Sequence, residues 1–227
     1  MSRIVAISNV AGGTGKTTSA HALAVACAEY GKRVLLLDLD VATALTFQLG
    51  LENERTTLAH YLQGAPLSES QILTVSERFD FIASDSRISS LIDIGTVKHF
   101  CETLPKDYDL ILLDTPSTLD PRLLMAIESA EMVVIPISSS LHSIRGANQV
   151  RKLATKNSIF GIKIQINSDS NMWDETFEYL DASIPYSDLV DSSLMNSTSV
   201  ITQNNRSEIA AAYREAAYSL LEKMELI

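Results

Sequence analysis

Runs of aliphatic residues recur along the chain, each followed by a polar or glycine-rich break. Ile4-Val5-Ala6-Ile7, Val34-Leu35-Leu36-Leu37, Leu110-Ile111-Leu112-Leu113 and Met132-Val133-Val134-Ile135-Pro136-Ile137 are continuous rather than alternating. Strands of that kind are covered on both faces, as in a parallel sheet flanked by helices. Shorter apolar stretches predict further strands over 79–83 and 159–166. Between the strands the periodicity turns helical, over residues 17–30, 44–49, 57–62, 96–103, 143–155 and 208–223. The first of these stops at Gly31, with Lys32 and Arg33 near its negative end. Strands alternating with helices predict the α/β class, a mostly parallel sheet with helices on both faces, and 227 residues suit one domain spanning 1–227.

The breaks after the strands carry the chemistry. Gly12-Gly13-Thr14-Gly15-Lys16-Thr17-Thr18 stands between the first strand and the first helix. Without Cβ atoms at its glycines, such a backbone can wrap a polyphosphate and aim N–H groups inward, and the following helix adds its positive dipole end. Lys16 would then neutralise the β- and γ-phosphates, and the Thr17 hydroxyl would ligate Mg²⁺. The second strand delivers Asp38-Leu39-Asp40, whose two carboxylates are expected by period two to point the same way, toward the phosphates. A third strand delivers Asp114, placed to hold Mg²⁺, generally through a water.

This set resembles the deviant Walker A family of ParA and MinD partitioning ATPases, whose loop reads K-G-G-x-G-K-[ST]-[ST]. Every position from Gly12 to Thr18 matches, and the family's signature lysine, which reaches across a dimer to the partner's nucleotide, is Ala11 here. Asp38-Leu39-Asp40 is similar to the family's D-x-D, although Val41-Ala42 follows in place of Pro-Gln or Ile-Gly. Asp109 to Leu119 is similar to D-x-x-x-x-D-x-P-P-S-L. The resemblance implies a slow, partner-stimulated, Mg²⁺-dependent ATPase that dimerises when ATP is bound and positions DNA or another cargo through an unidentified adaptor. It implies that Asp40 orients the attacking water, that Asp38 supports it near the metal, and that the residues after Asp114 sense the γ-phosphate as a mobile switch. It also makes Asn167 the candidate for recognising adenine, and sets Tyr186 where the family's I-P-R segment has arginine. A carboxysome-positioning branch, some of whose members lack the loop lysine too, is the nearest variant. A nucleotide-dependent scaffold that no longer hydrolyses, and a P-loop ligase of the dethiobiotin synthetase type, stand as alternatives.

Composition narrows the partners. A hydrophobic fraction of 46% and a charged fraction of 20% are those of a globular protein. The net charge is -10, and residues 164–227 hold 11 of the 28 acidic but only 3 of the 18 basic side chains. Nonspecific DNA binding is therefore expected to be weak, with any contact made by the basic island of Arg145, Arg151, Lys152, Lys156 and Lys163. Helical spacing sets Arg145, Lys152 and Lys156 on one face and Ile144, Ala147, Val150 and Leu153 on the other. Arg151 or Lys152 is the expected source, in trans, of the charge missing at Ala11. The terminal helix, with Glu215, Glu222 and Glu225, does not suit an anionic membrane surface. Cys27 and Cys101 sit in apolar contexts and are expected to be buried thiols. With no room for a signal peptide before the first strand and no apolar run near 18 residues, a cytoplasmic location is expected.

Overall fold

A computed structural model, describing residues 2–165 and 173–227, gathers the aliphatic runs into one eight-stranded sheet. Its strands are β1 (Arg3–Ile7), β2 (Val34–Asp38), β3 (Leu73–Thr74), β4 (Asp80–Ile82), β5 (Leu110–Asp114), β6 (Met132–Ser138), β7 (Ser158–Ile164) and β8 (Tyr179–Ile184). They lie in the order β3-β4-β2-β5-β1-β6-β7-β8, parallel everywhere except β3 against β4. The chain leaves β1 toward β2 on one side and later crosses to β6 on the other. Such a reversal opens a crevice beyond the strands' C-terminal ends, where α/β sheets bind ligands.

The helices are α1 (Lys16–Glu29), α2 (Ala44–Gln48), α3 (Leu58–Leu62), α4 (Thr96–Glu102), α5 (Pro121–Ser129), α6 (Leu141–Leu153), α7 (Leu189–Met195), α8 (Val200–Gln203) and α9 (Glu208–Lys223). Two apolar cores lie on opposite faces of the sheet. In β1, Val5 and Ile7 meet α1, α8 and α9, whereas Ile4 and Ala6 face the side of α3 to α6. Ten of the fourteen residues of α1 are buried, because the helix is enclosed between sheet and α9; that explains its run of alanines. On α9, Ile209, Ala210, Tyr213, Ala217 and Leu220 are all taken up by this core. Among the described residues no helix is long and apolar enough to cross a membrane.

Several local expectations shift. The strand expected over 79–83 is Asp80–Ile82, and the helix expected over 143–155 is Leu141–Leu153, so Lys156 lies past its end and Leu153, expected to turn inward, is exposed. α5, α7, α8 and the strand β8 were not expected. β8 extends the sheet by one strand beyond β7, and α5 follows Asp114 by only six residues of loop. The segment expected to be a switch is thus short and anchored at both ends.

Candidate functional site

The glycine-rich loop links β1, at the centre of the sheet, to α1. Gly13 and Gly15 have φ of 70° and 81°, the left-handed region that a side chain would strain, and Gly15 caps the helix with no side-chain partner for its first N–H groups among the described residues. An N-terminus left open in that way, on a helix of fourteen residues, suits an anion. Thr14 is buried and its hydroxyl donates to the Ala11 carbonyl at 3.3 Å. Gly12 and Gly13 are exposed at the mouth of the loop, and Thr17 and Thr18 are half-buried in the first turn of α1.

Lys16 is buried, and its Nζ donates to the Ala11 carbonyl at 3.1 Å and to Ser117 Oγ at 2.6 Å. Burial lowers the pKa of its ammonium, and the charges of Asp114 and Asp40 act in the opposite sense. Asp114 ends β5, paired in register with Ile7 of β1 and with Asp38 of β2. Its carboxylate is buried, and neither Oδ1 nor Oδ2 has a hydrogen-bond partner among the described residues. Burial, reinforced by the adjacent Asp38, pushes Asp114 well above the usual carboxylate range. The Thr17 hydroxyl moderates that rise while falling outside hydrogen-bond geometry. Two bare carboxylate oxygens beside a threonine hydroxyl fit a hard divalent cation, which takes oxygen ligands and would restore the missing compensation.

The pair after β2 departs from expectation. Asp38 is the last strand residue, so period two no longer governs Asp40, which lies in the loop beyond. The Asp38 carboxylate is fully engaged within its own turn: Oδ1 accepts from the Asp40 N–H, and Oδ2 accepts from the Thr46 N–H and hydroxyl, each at 3.1 Å. Burial pushes Asp38 up to about 6, against those three donors. Asp38 therefore braces the turn that presents Asp40, next to Asp114 on the neighbouring strand. Asp40 is half-buried, accepts from the Ala42 N–H at 3.0 Å, and stands close enough to act on both Lys16 and Asp114.

Beside the loop, a cleft of about 210 Å³ opens between the C-terminal ends of β7 and β8, lined by Gly13, Gly15, Thr18, Gln165, Pro185 and Tyr186. Asn167 lies outside the described residues. A roomier cavity, about 720 Å³, lies between α3 and α4 among Tyr61, Pro66, His99 and Phe100 and touches none of the motif residues. Volume alone therefore misleads here.

Ala11, at the position of the missing lysine, is sealed to 1% exposure. Within one chain neither Arg151 nor Lys152 stands beside it. α6 begins at the edge that carries the loop and runs back along the sheet, so Arg151 and Lys152, in its last turn, lie about 15 Å along its axis from that edge. Arg151 is also engaged, donating to the Thr176 carbonyl and hydroxyl and to Asn148, and stacking 4.6 Å from the Phe177 ring centre. Within the basic island, Lys163 lies over Tyr179 and Trp173, which leaves Arg145, Lys152 and Lys156 as its exposed cations.

Three further participants escaped the sequence reading. Ser117, three residues after Asp114, holds Lys16. Asn9, fully buried, joins the loop to β6 and α6; an asparagine two residues before a turn N–H was its signal. His21 on α1 pairs through Nε2 with Glu77 at 2.5 Å and through Nδ1 with Gln48 at 3.0 Å, tying α1 to α2.

Residues 2–168 match the family described as AAA domain, AAA_31. The chain is 38% identical over 146 residues to the chromosome-partitioning ATPase Soj of Thermus thermophilus, covering 63% of this chain and 58% of that protein. It thus spans less than two thirds of that relative's length. Its fold is similar to that of the septum site-determining protein MinD complexed with Mg-ADP from Pyrococcus horikoshii, with a TM-score of 0.84, 24% identity and coverage of 99% and 98% of the two chains. Apo McdA from Cyanthece is likewise similar, with a TM-score of 0.83, 18% identity and coverage of 97% and 100%.

Proposed function

The chain belongs to the AAA_31 family of AAA domains, within the ParA/MinD type of P-loop ATPase, and from that premise we propose that it hydrolyses ATP to position DNA or another intracellular cargo. The observation that carries this reading is the buried Asp114 carboxylate, both oxygens without a hydrogen bond among the described residues, at the end of the strand beside the glycine loop and within the field of Lys16. In this reading residues 1–227 form one ATPase domain. Gly12, Gly13, Thr14, Gly15, Lys16, Thr17 and Thr18 bind the phosphates, the 210 Å³ cleft takes the nucleoside, and Asn167 is the residue assigned to recognise adenine.

Thr17 and Asp114 would hold Mg²⁺, which when bound supplies positive charge to the β- and γ-phosphate oxygens. Lys16 and the loop N–H groups stabilise charge on the transferring phosphoryl, acting from fixed positions in a largely buried site. Asp40 orients the attacking water, on a turn that Asp38 and Thr46 keep in place. The partitioning ATPase named above supports a positioning role. A homodimer in the ATP state, slow turnover and stimulation by an adaptor belong to the same proposal; tight DNA binding and membrane attachment do not.

Phosphate release from the purified protein with Mg-ATP, with and without candidate adaptors, tests the reading. Slow release that depends on Lys16 and Asp40 is expected. Release at the parent rate from Asp40→Ala would show that the water-positioning role is misassigned, and Mg-ATP affinity unchanged in Lys16→Ala would overturn the site itself.

A further inference from the structure

Asn9 immediately precedes the glycine loop, yet its amide is turned to β6, α6 and the backbone of Ala11. It is fully buried, and its amide is used at both ends. Nδ2 donates to the Pro136 carbonyl of β6 at 2.8 Å and to the Ser143 carbonyl of α6 at 3.2 Å, while Oδ1 accepts from the Ala11 N–H at 2.9 Å. Ser143 is tied down in turn, because its Oγ accepts from the Ser138 N–H at 2.9 Å. The next turn of α6 closes over this arrangement. A Cβ at Gly146 would lie 2.3 Å from Asn9 Oδ1 and 2.7 Å from the Ala11 nitrogen. The helix approaches as it does only because position 146 has no side chain.

Ala11 is where this scaffold meets the chemistry. Its N–H is taken by Asn9, so it does not serve as a phosphate donor, and its carbonyl holds Lys16 Nζ. The carbonyl that holds the ammonium belongs to the peptide unit directly after the one Asn9 fixes, joined to it at the buried Ala11 Cα, so the position of the ammonium follows the Asn9 anchor. The geometry points to Asn9, closed in by Gly146, as the positioning residue for Lys16: it anchors the leading arm of the loop to β6 and α6 and thereby sets where the lysine charge stands. This inference rests on the ATPase reading above. It adds to that reading a buried residue whose amide is taken up wholly by the protein.

Removing the Asn9 side chain takes away the bonds to the Pro136 carbonyl and the Ala11 N–H, and the second bond to the helical Ser143 carbonyl, and frees the arm to move. Misplacing a catalytic group by about 1 Å can cost on the order of a hundredfold in rate, so Asn9→Ala is expected to lower kcat by at least about tenfold. The decisive experiment is a double-mutant cycle on Mg-ATP affinity, read with a fluorescent ATP analogue, for parent, Asn9→Ala, Lys16→Ala and the double variant, alongside thermal midpoints. Asn9→Ala is expected to weaken binding several-fold in the parent and to add little once Lys16 is gone. Gly146→Ala, which presses on the same arm from the other side, is expected to reproduce the loss; Asn9→Ser serves if either variant does not fold.

Equal losses in both backgrounds would overturn the assignment, as would a lowered thermal midpoint with kcat and affinity unchanged, the signature of a purely structural asparagine. If Lys16→Ala binds Mg-ATP like the parent, the ATPase reading fails and the inference with it. If Lys16→Ala is impaired while Asn9→Ala matches the parent, the inference fails alone.

Discussion

Replacing Asp114 by asparagine should make the protein more stable and inactive at once. The parent buries a carboxylate with no hydrogen bond to either oxygen among the described residues, next to a second buried carboxylate on the neighbouring strand. An uncompensated buried ion costs several kcal/mol, and Lys16 returns part of that, so relief of about 2–3 kcal/mol is expected in the absence of Mg²⁺. For a domain of this size that corresponds to a rise in Tm of about 4–12 °C. The gain has a definite pH dependence. Because folding raises the Asp114 pKa, the parent is best off where the acid is protonated, below the ordinary carboxylate range, and loses stability as pH rises through the higher folded value. Asparagine copies the protonated acid in shape and cannot ionise. The Tm difference should therefore be larger near pH 8 than near pH 4, while Mg-ATP, which should stabilise the parent, leaves the variant's hydrolysis abolished. Thermal unfolding in EDTA at the two pH values measures it. A variant less stable than the parent at pH 8 would show that the carboxylate has favourable partners, and the argument for a cation at Asp114 would lose its basis.

Other outcomes follow from the same geometry. Asp40→Ala should bind Mg-ATP nearly as the parent does while hydrolysis falls, whereas Lys16→Ala should lose both, checked by nucleotide binding alongside phosphate release. Gly15→Ala forces a Cβ into a backbone at φ 81° and should cost about 1–2 kcal/mol as well as weaken Mg-ATP, read by denaturant melts and binding. Glu77→Gln deprives the buried His21 of its carboxylate partner and should cost about 1–3 kcal/mol near neutral pH. Burial alone would raise Glu77, but His21 and the Thr202 and Ser199 donors outweigh it and hold it below its usual value; the difference from Glu77→Gln is thus present above the carboxylate range and fades as pH falls through the folded value, visible in Tm against pH. Light scattering of Asp40→Ala with Mg-ATP should report a dimer that Lys152→Ala and Arg151→Ala leave intact, since both residues lie at the far end of α6.

The phosphate-facing motifs were legible because each combines a composition with a place at a strand end. Gly12 to Thr18 and Asp114 stand where the apolar runs predict. The D-x-D pair was half legible: its location could be read, but strand periodicity was carried two residues too far, and only the structure shows Asp38 engaged by Thr46. Two missed elements had left signals. Asp120-Pro121 is a helix cap followed by proline at the first position, and Asp120 does accept from the Arg122 N–H. In β8, buried Leu180 and Ile184 alternate with exposed Asp181 and Ser183. Asn9 and Gly146, by contrast, are 137 positions apart, and nothing local announces that one leaves room for the other. The same holds for Arg151 and Lys152: a count of charges gives their number, and only the direction of α6 decides which edge they reach.

The register of the central strands fixes more than packing. Asp38 and Asp114 face one another across β2 and β5 because each ends a strand of five residues whose partners are matched one to one from Val34 and Leu110 onward. Side chains alternate between faces, so losing or gaining one residue inside either strand would turn its aspartate toward the α3–α6 core, even if every apolar contact could be repaired. Aliphatic residues in these strands can be exchanged for one another, but their number cannot change. A library of single-residue insertions and deletions should therefore be far more damaging in β2 and β5 than one of conservative substitutions, and the spacing between the start of each strand and its carboxylate is the most inflexible length in the chain.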